Sequence, residues 1–170
     1  MSRADLAILD TSIYIENLRT GRFEQELENL PFVVRCSAVV LAELSRGARS
    51  REMKDFVHDL EKDLQVITPS ERDWSESGQI VSKIAAAKGF DVHKTREIHF
   101  DVLIALCARR IGGVLITVNA ADFRTILEYK KFNLGLLVKI GGCLRLVSVN
   151  MQPSVWFARA TFVRPPASSD

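Results

Sequence analysis

A layered α/β domain, a three-layer α/β/α sandwich with helices on both faces of a central and mostly parallel sheet, is the fold class this sequence predicts. Three observations carry it. Short runs in which nearly every residue is apolar, such as Leu6-Ala7-Ile8-Leu9 and Val114-Leu115-Ile116-Thr117-Val118, alternate with longer amphipathic stretches. A strand apolar on both faces must be covered on both, which parallel pairing with crossover helices provides. A chain of 170 residues is also long enough to bury one core of this kind.

The elements follow in order. Leu6 to Leu9 reads as a buried strand ended by Asp10-Thr11-Ser12, side chains that accept hydrogen bonds from free amides and so start the helix Ile13 to Leu18, which stops near Gly21. Phe32 to Cys36 is the second strand, leading into a helix from Ser37 to Leu44 in which Val40, Leu41 and Leu44 share a face with Glu43 among them. Glu52 to Leu60 carries Phe56, Val57 and Leu60 at amphipathic helix spacing, and Leu64 to Ile67 is the next strand. Thr68-Pro69-Ser70 followed by Asp73 is a strong helix start, and that helix runs to just before Gly89. Asp91 to Arg96 reads as a polar loop. Beyond it a helix carries Phe100 to Arg110, its two arginines at the negative end of the dipole, stopped by Gly112-Gly113. Val114 to Val118 is a buried strand, a short helix runs to about Lys131, and Cys143 to Val149 is the final strand.

Composition bounds the function. At 47% apolar and 26% charged the chain is a globular protein, not a disordered one, and its net charge of +2 does not announce a nucleic-acid binder by bulk charge. The cysteines Cys36, Cys107 and Cys143 are scattered in apolar company, the pattern of buried thiols in a reducing compartment. No cleavage-site pattern follows the N-terminus and no stretch has the length of a membrane span, so a cytoplasmic protein with no membrane partner is expected. Residues 1–149 are read as the domain and 150–170 as a C-terminal extension, whose Trp156, Phe157 and Phe162 form a docking patch or an oligomer contact.

The acids carry the functional signal. Asp10 closes an apolar strand, Glu43 interrupts an apolar helix face, Asp101 lies inside a strongly apolar helix, and Asp122 follows another apolar strand. A carboxylate in apolar company is costly unless paired, protonated or bound to a metal. Each has an ordinary reading alone: Asp10 and Asp122 as helix caps, Glu43 as a partner of Arg46 one turn on, Asp101 as a first-turn acid if its helix starts late. Four together, two of them at strand ends of one sheet, favour a shared site, since ligands of such sheets gather at the carboxyl ends of the strands. No glycine-rich loop occupies the first strand-to-helix turn, which disfavours a dinucleotide binder.

The strings Leu9-Asp10-Thr11-Ser12, Leu41-Ala42-Glu43-Leu44-Ser45-Arg46-Gly47, Phe100-Asp101 with Leu103-Ile104-Ala105, and Val114 to Asn119 followed by Asp122-Phe123 resemble, in order and approximate spacing, PIN-domain ribonucleases of the VapC toxin type. The resemblance spans roughly Leu6 to Val149. It implies a metal-dependent endoribonuclease that binds Mg²⁺ or Mn²⁺, acts as a homodimer, and is held inactive by a cognate antitoxin. Asp10, Glu43 and Asp101 match the family's three most regular acids and Asp122 a more variable fourth. Asn119 stands where many relatives carry an acid or amide, so either Asn119 or Asp122 faces the metal. Thr11, Ser12 and Thr117 match hydroxyl positions that orient the carboxylates or a water.

The chemistry agrees with the residue types. Hard divalent cations prefer oxygen ligands, and Mg²⁺ uses a few carboxylates together with substrate phosphate. The expected principal ligands are Asp10 and Asp101, with Glu43 a ligand or orienter of the attacking water and Asp122 a second-metal or water-mediated ligand. One ion or two remain open. Flanking cations must hold the RNA backbone against the acidic centre, and the candidates are Arg46, Arg49, Arg51 and Lys54 after the Glu43 helix, and Lys88, His93, Lys94 and Arg96 ahead of Asp101. His93 and His99 have no companion motif and read as surface or packing residues. An apolar groove near Ile13 to Leu18 and Met53 to Leu60 is expected to receive the antitoxin. The alternative is a PIN-fold nucleic-acid or protein binding module without turnover.

Overall fold

The computed structural model describes residues 5–140 and 143–150. Strand β1 (Leu6–Leu9) ends on Asp10, whose side chain caps helix α1 (Thr11–Thr20) by accepting from the Ser12 amide. Gly21, at φ 65°, ends α1 in the left-handed region that only glycine enters freely. A short helix α2 (Glu24–Glu28) then leads to β2 (Val33–Ser37), α3 (Ala38–Gly47) capped by Ser37, and α4 (Arg51–Asp63) capped by Ser50. Next come the two-residue β3 (Val66–Ile67), α5 (Glu71–Lys88) and α6 (Val92–Arg110). The capping box expected at the start of α5 is present: Ser70 and Asp73 each satisfy the other's backbone amide. The described chain ends with β4 (Val114–Thr117), α7 (Ala120–Tyr129), β5 (Asn133–Ile140) and β6 (Cys143–Ser148).

The six strands form one sheet in the order β3-β2-β1-β4-β5-β6. Every pairing is parallel except β5 with β6. β1 and β4 therefore lie at the centre, buried on both faces, and their full complement of apolar side chains follows from that position. Ile8, Leu115 and Ile116 of these strands and Leu103 and Ile104 of α6 are fully buried. Each such side chain contributes roughly 1.5–3 kcal/mol relative to exposure. The connection after β1 goes to one side of the sheet and that after β4 to the other, so a crevice opens between their carboxyl ends. Cys36 and Cys107 are buried free thiols, as their sequence settings suggest. No helix among the described residues is long and apolar enough to cross a membrane.

Three departures from the sequence expectation have physical causes. The segment read as a polar loop, Asp91 to Arg96, is the cap and first turns of α6: Asp91 accepts from the Lys94 amide at 2.8 Å, and the turns are polar because they leave the core. Asp101 is thus mid-helix, and the first-turn reading of it falls away. β5 went unseen because its apolar residues are mainly leucines interrupted by Gly135, a residue that normally weakens a strand. A Cβ at Gly135 would lie 3.0 Å from Leu146 Cδ1 on β6, so the glycine leaves that leucine room it would otherwise have to give up. The helix α2 has five residues and buries none of them, so it leaves no periodic signal. The extension from residue 151 onward, with Trp156, Phe157 and Phe162, lies outside the described residues.

Gly112-Gly113 does more than stop a helix. Gly112 has φ 67°, whereas a Cβ on Gly113 would meet the Leu6 carbonyl oxygen at 2.9 Å where β4 enters the sheet beside β1. Backbone on backbone cannot yield cheaply, so Gly113→Ala is expected to destabilise the fold by about 1–3 kcal/mol in urea unfolding. An unchanged midpoint would contradict that close approach.

Candidate active site

The acids singled out in the sequence meet at the crevice between β1 and β4. Asp10, only 3% exposed, is tied to β4 through its own backbone, its amide donating to the Ile116 carbonyl at 2.9 Å. Two hydroxyls donate to its Oδ2, Ser12 Oγ at 2.5 Å and Thr117 Oγ1 at 2.9 Å. Thr117 is itself fully buried and accepts from the Asn119 amide at 2.9 Å, so the turn after β4 is built on the same hydroxyl. Thr11, beside Asp10 in the chain, turns to α3 and donates to Glu43 Oε2 at 2.6 Å. The hydroxyls at Thr11, Ser12 and Thr117 thus fix which way two carboxylates face. Thr117→Val keeps the shape and removes that donor. It is expected to lower stability by about 1–3 kcal/mol and to disorder the Asp10 side chain, checked by urea unfolding and by NMR of the Asp10 carboxyl.

Asp122 is held differently. Asn119 caps α7 and donates through Nδ2 to Asp122 Oδ2 at 2.9 Å, and Lys94 Nζ reaches the same oxygen at 2.8 Å. This bond, ahead of the opposing burial and helped by the charges of Asp122, Glu97 and Asp101, raises the Lys94 pKa above its ordinary value. The cap reading of Asp10 is correct as local structure, whereas α7 is capped by Asn119, and Asp122, an acid of its first turn, lines the cleft. The suggested pairing of Glu43 with Arg46 gives way to the Thr11 hydroxyl, while the Arg46 guanidinium stands 5.8 Å from the centre of the Phe100 ring.

Asp101 has no hydrogen-bond donor among the described residues, and its environment is hostile to charge. Burial first, then the neighbouring charges of Asp10, Asp122 and Glu43, push its pKa from 3.8 to about 8, with Lys94 offsetting a part. Burial likewise raises Asp10 and Glu43, partly opposed by their hydroxyl partners. Asp10, Glu43 and Asp122, each from a separate part of the chain, thus all stand near enough to Asp101 to disfavour its charge.

A cleft of about 560 Å³ opens beside these acids, and Asp10, buried, is not part of its wall. Glu43, Asp101, Asn119 and Asp122 line it, and so do Arg46 and Arg96 among the expected backbone cations. His93, Glu97 and Phe100 complete the wall. Arg49, Arg51 and Lys54 do not line it, and Arg51 faces Asp55 on an exposed part of α4. Lys88 pairs with Glu128, and Lys94 is committed to Asp122. His99 packs away from the cleft, with Ser77 Oγ at 2.9 Å and the Trp74 ring edge-on. Glu97 and Phe100 escaped the sequence reading. Their signal was the helical spacing of residues 94, 97 and 101, hidden once the start of α6 was taken for a loop.

The donor set suits a hard divalent ion: every acid offers oxygen, none is neutralised by arginine, and no sulfur or imidazole ligand competes at the core of the cluster. As the side chains stand, no group of three or more His, Cys, Asp or Glu among the described residues is gathered tightly enough to hold a metal ion.

No protein-family model and no curated protein matches the chain. Solved structures do. One chain in the structure of VapBC2 from Rickettsia felis, bound to a DNA fragment from their promoter, is 24% identical with a TM-score of 0.53, over 70% of this chain and 91% of that one. VapBC-1 from nontypeable Haemophilus influenzae contains a chain 23% identical at a TM-score of 0.54, covering 72% and 93%. DNA-bound VapBC from Salmonella typhimurium contains one 25% identical at 0.51, covering 71% and 91%. These neighbours are VapBC toxin–antitoxin complexes, and the fold shared with them is PIN-like, as the sequence resemblance implied.

Proposed function

We propose that this chain is a metal-dependent endoribonuclease that hydrolyses RNA phosphodiester bonds, and the toxin of a toxin–antitoxin pair. The observation that carries the proposal is the gathering of Glu43, Asp101 and Asp122 on the wall of one open cleft that Arg46 and Arg96 also line, with the buried Asp10 close enough to act on the charge of Asp101. Asp10, Glu43 and Asp101 would hold Mg²⁺ or Mn²⁺, which when bound supplies charge stabilisation at the phosphate and a lowered water pKa. Ser12 and Thr117 hold Asp10 in one orientation, and Thr11 does the same for Glu43. Glu43, half-buried and oriented by Thr11, would act there as a ligand or as the orienter of the attacking water. Arg46 and Arg96 line the cleft and would take the phosphates, with the partly buried Phe100 ring beside Arg46 on the same wall.

Regulation fits the same reading. Ile15 and Leu18 of α1 are 43% and 41% exposed, and Tyr14 packs edge-on against Phe56 of α4. This apolar strip is where an antitoxin segment is expected to lie. A crosslinking map that places the antitoxin only on the chain beyond residue 150 would exclude it. A homodimer is proposed as well, to be read from sedimentation of the purified chain.

The test of the activity is incubation of the purified protein with mixed cellular RNA in Mg²⁺, in Mn²⁺ and in EDTA. Cleavage in the first two and none in EDTA is expected. Metal binding by calorimetry without cleavage of any RNA would instead favour a binding module that has lost turnover.

A further inference from the structure

The four carboxylates, three on the cleft wall and Asp10 buried, are not equally available. Asp10 and Glu43 each give one oxygen to neutral hydroxyl donors, which orient a carboxylate without cancelling its charge. Asp101 gives neither oxygen to any donor among the described residues. Asp122 is the exception: its Oδ2 takes the Lys94 ammonium at 2.8 Å and the Asn119 amide at 2.9 Å.

Lys94 is well anchored in that place. It sits seven residues before Asp101 on α6, two helical turns away on the same face, and its own amide is fixed by the Asp91 cap at 2.8 Å. Its ammonium lies 3.8 Å from Glu97 Oε2, so acids hold it from two sides. Arg46 and Arg96 line the same cleft, yet among the described residues neither forms an ion pair with any of its acids. One cation, and only on the Asp122 side, is therefore built into the cluster.

We propose that Lys94 is the resident counter-cation of the acid cluster, occupying the Asp122 side of the cleft so that the centre takes one divalent ion, on Asp10, Glu43 and Asp101, and not two. This rests on the metal-dependent reading above. A second divalent ion at Asp122 would have to displace the ammonium or sit beside it against like-charge repulsion in a half-buried site. Lys94 is thus a positioning residue that sets metal stoichiometry, and Asp122 serves chiefly as its anchor.

The test counts ions and does not require turnover. Full-length wild type, Lys94→Met, Lys94→Arg and the double variant Lys94→Met/Asp122→Asn are titrated with Mn²⁺, with bound ion read by electron paramagnetic resonance and folding checked by circular dichroism. One Mn²⁺ is expected for wild type and Lys94→Arg. Lys94→Met is expected to take a second at concentrations where wild type holds one, with dipolar broadening between the two, and the double variant to return to one. Two ions of similar affinity in wild type, or one in Lys94→Met, would overturn the inference while leaving a metal-dependent centre intact. Absence of Mn²⁺ binding in every variant would overturn the metal-dependent reading itself, and this inference with it.

Discussion

Replacing Asp101 by asparagine is expected to abolish RNA cleavage, by at least ~10²-fold in single-turnover rate, while making the fold more stable. The two effects have one origin. Asp101 stands on a buried helix stretch without a hydrogen-bond donor among the described residues, where burial first and then three other acids push its pKa to about 8. That arrangement is unfavourable for folding and is what a cation-binding carboxylate requires. Asparagine keeps the shape, removes the charge and brings an amide that can donate to the neighbouring acids, so urea unfolding in EDTA at pH 8 should report a gain of about 1–3 kcal/mol. A structural role for Asp101 predicts the opposite sign. Full metal-dependent cleavage by Asp101→Asn would remove Asp101 from the site.

The metal-free protein should also lose stability as pH rises from about 5 to about 8. For Asp101 the folded pKa of about 8 lies above the unfolded value near 3.8. Below about pH 4 both states hold the proton. Between that point and about pH 8 the native chain keeps a proton that the unfolded chain has released, so each rise in pH favours unfolding; above about pH 8 both are ionised and the slope vanishes. Burial of Asp10 and Glu43 acts in the same direction. A carboxyl opening onto a solvent-filled cleft relaxes part of this, and a total loss of about 3 kcal/mol is expected. Asp73 works the other way, because the Ser70 bonds and Arg110 lower its pKa against burial. Its stabilisation disappears only in acid, as pH falls through its depressed folded value, while His99, whose pKa burial lowers, opposes the fall below about pH 6.5, so the comparison with Asp101→Asn isolates the cleft. Urea midpoints in EDTA should fall across this window. The fall should flatten in Asp101→Asn and be reversed by millimolar Mn²⁺. A stability that rises from pH 5 to 8 would show that the acids do not share one site.

Much of the site was legible because its residues violate local rules. Asp10 ends a strand that is otherwise apolar, and Asp101 follows Phe100 in a helix whose next seven residues, Val102 to Ala108, are all buried. Such intrusions are visible without coordinates, since a charge among apolar neighbours needs a reason wherever it lies. Capping signals were equally local: Asp10, Ser50, Ser70 and Asn119 accept from amides two or three residues on, a pattern written in adjacent sequence. By contrast β5 was hidden, because Gly135 acquires its meaning only from Leu146 on the neighbouring strand.

The sequence by itself determined the alternation of buried strands with amphipathic helices, the caps, and the four acids, since each depends on residues near one another along the chain. Tertiary structure decided the rest. The order β3-β2-β1-β4-β5-β6 brings the ends of β1 and β4 together, and with them Asp10 and Thr117, separated by 107 positions. It gave Thr11 to Glu43, directed Lys94 to Asp122 instead of outward, and left Arg51 away from the cleft. A side chain's composition states which chemistry it can perform. Which partner it meets depends on sheet order and helix packing, and those arise from burial summed over the whole core, which no local stretch of sequence encodes.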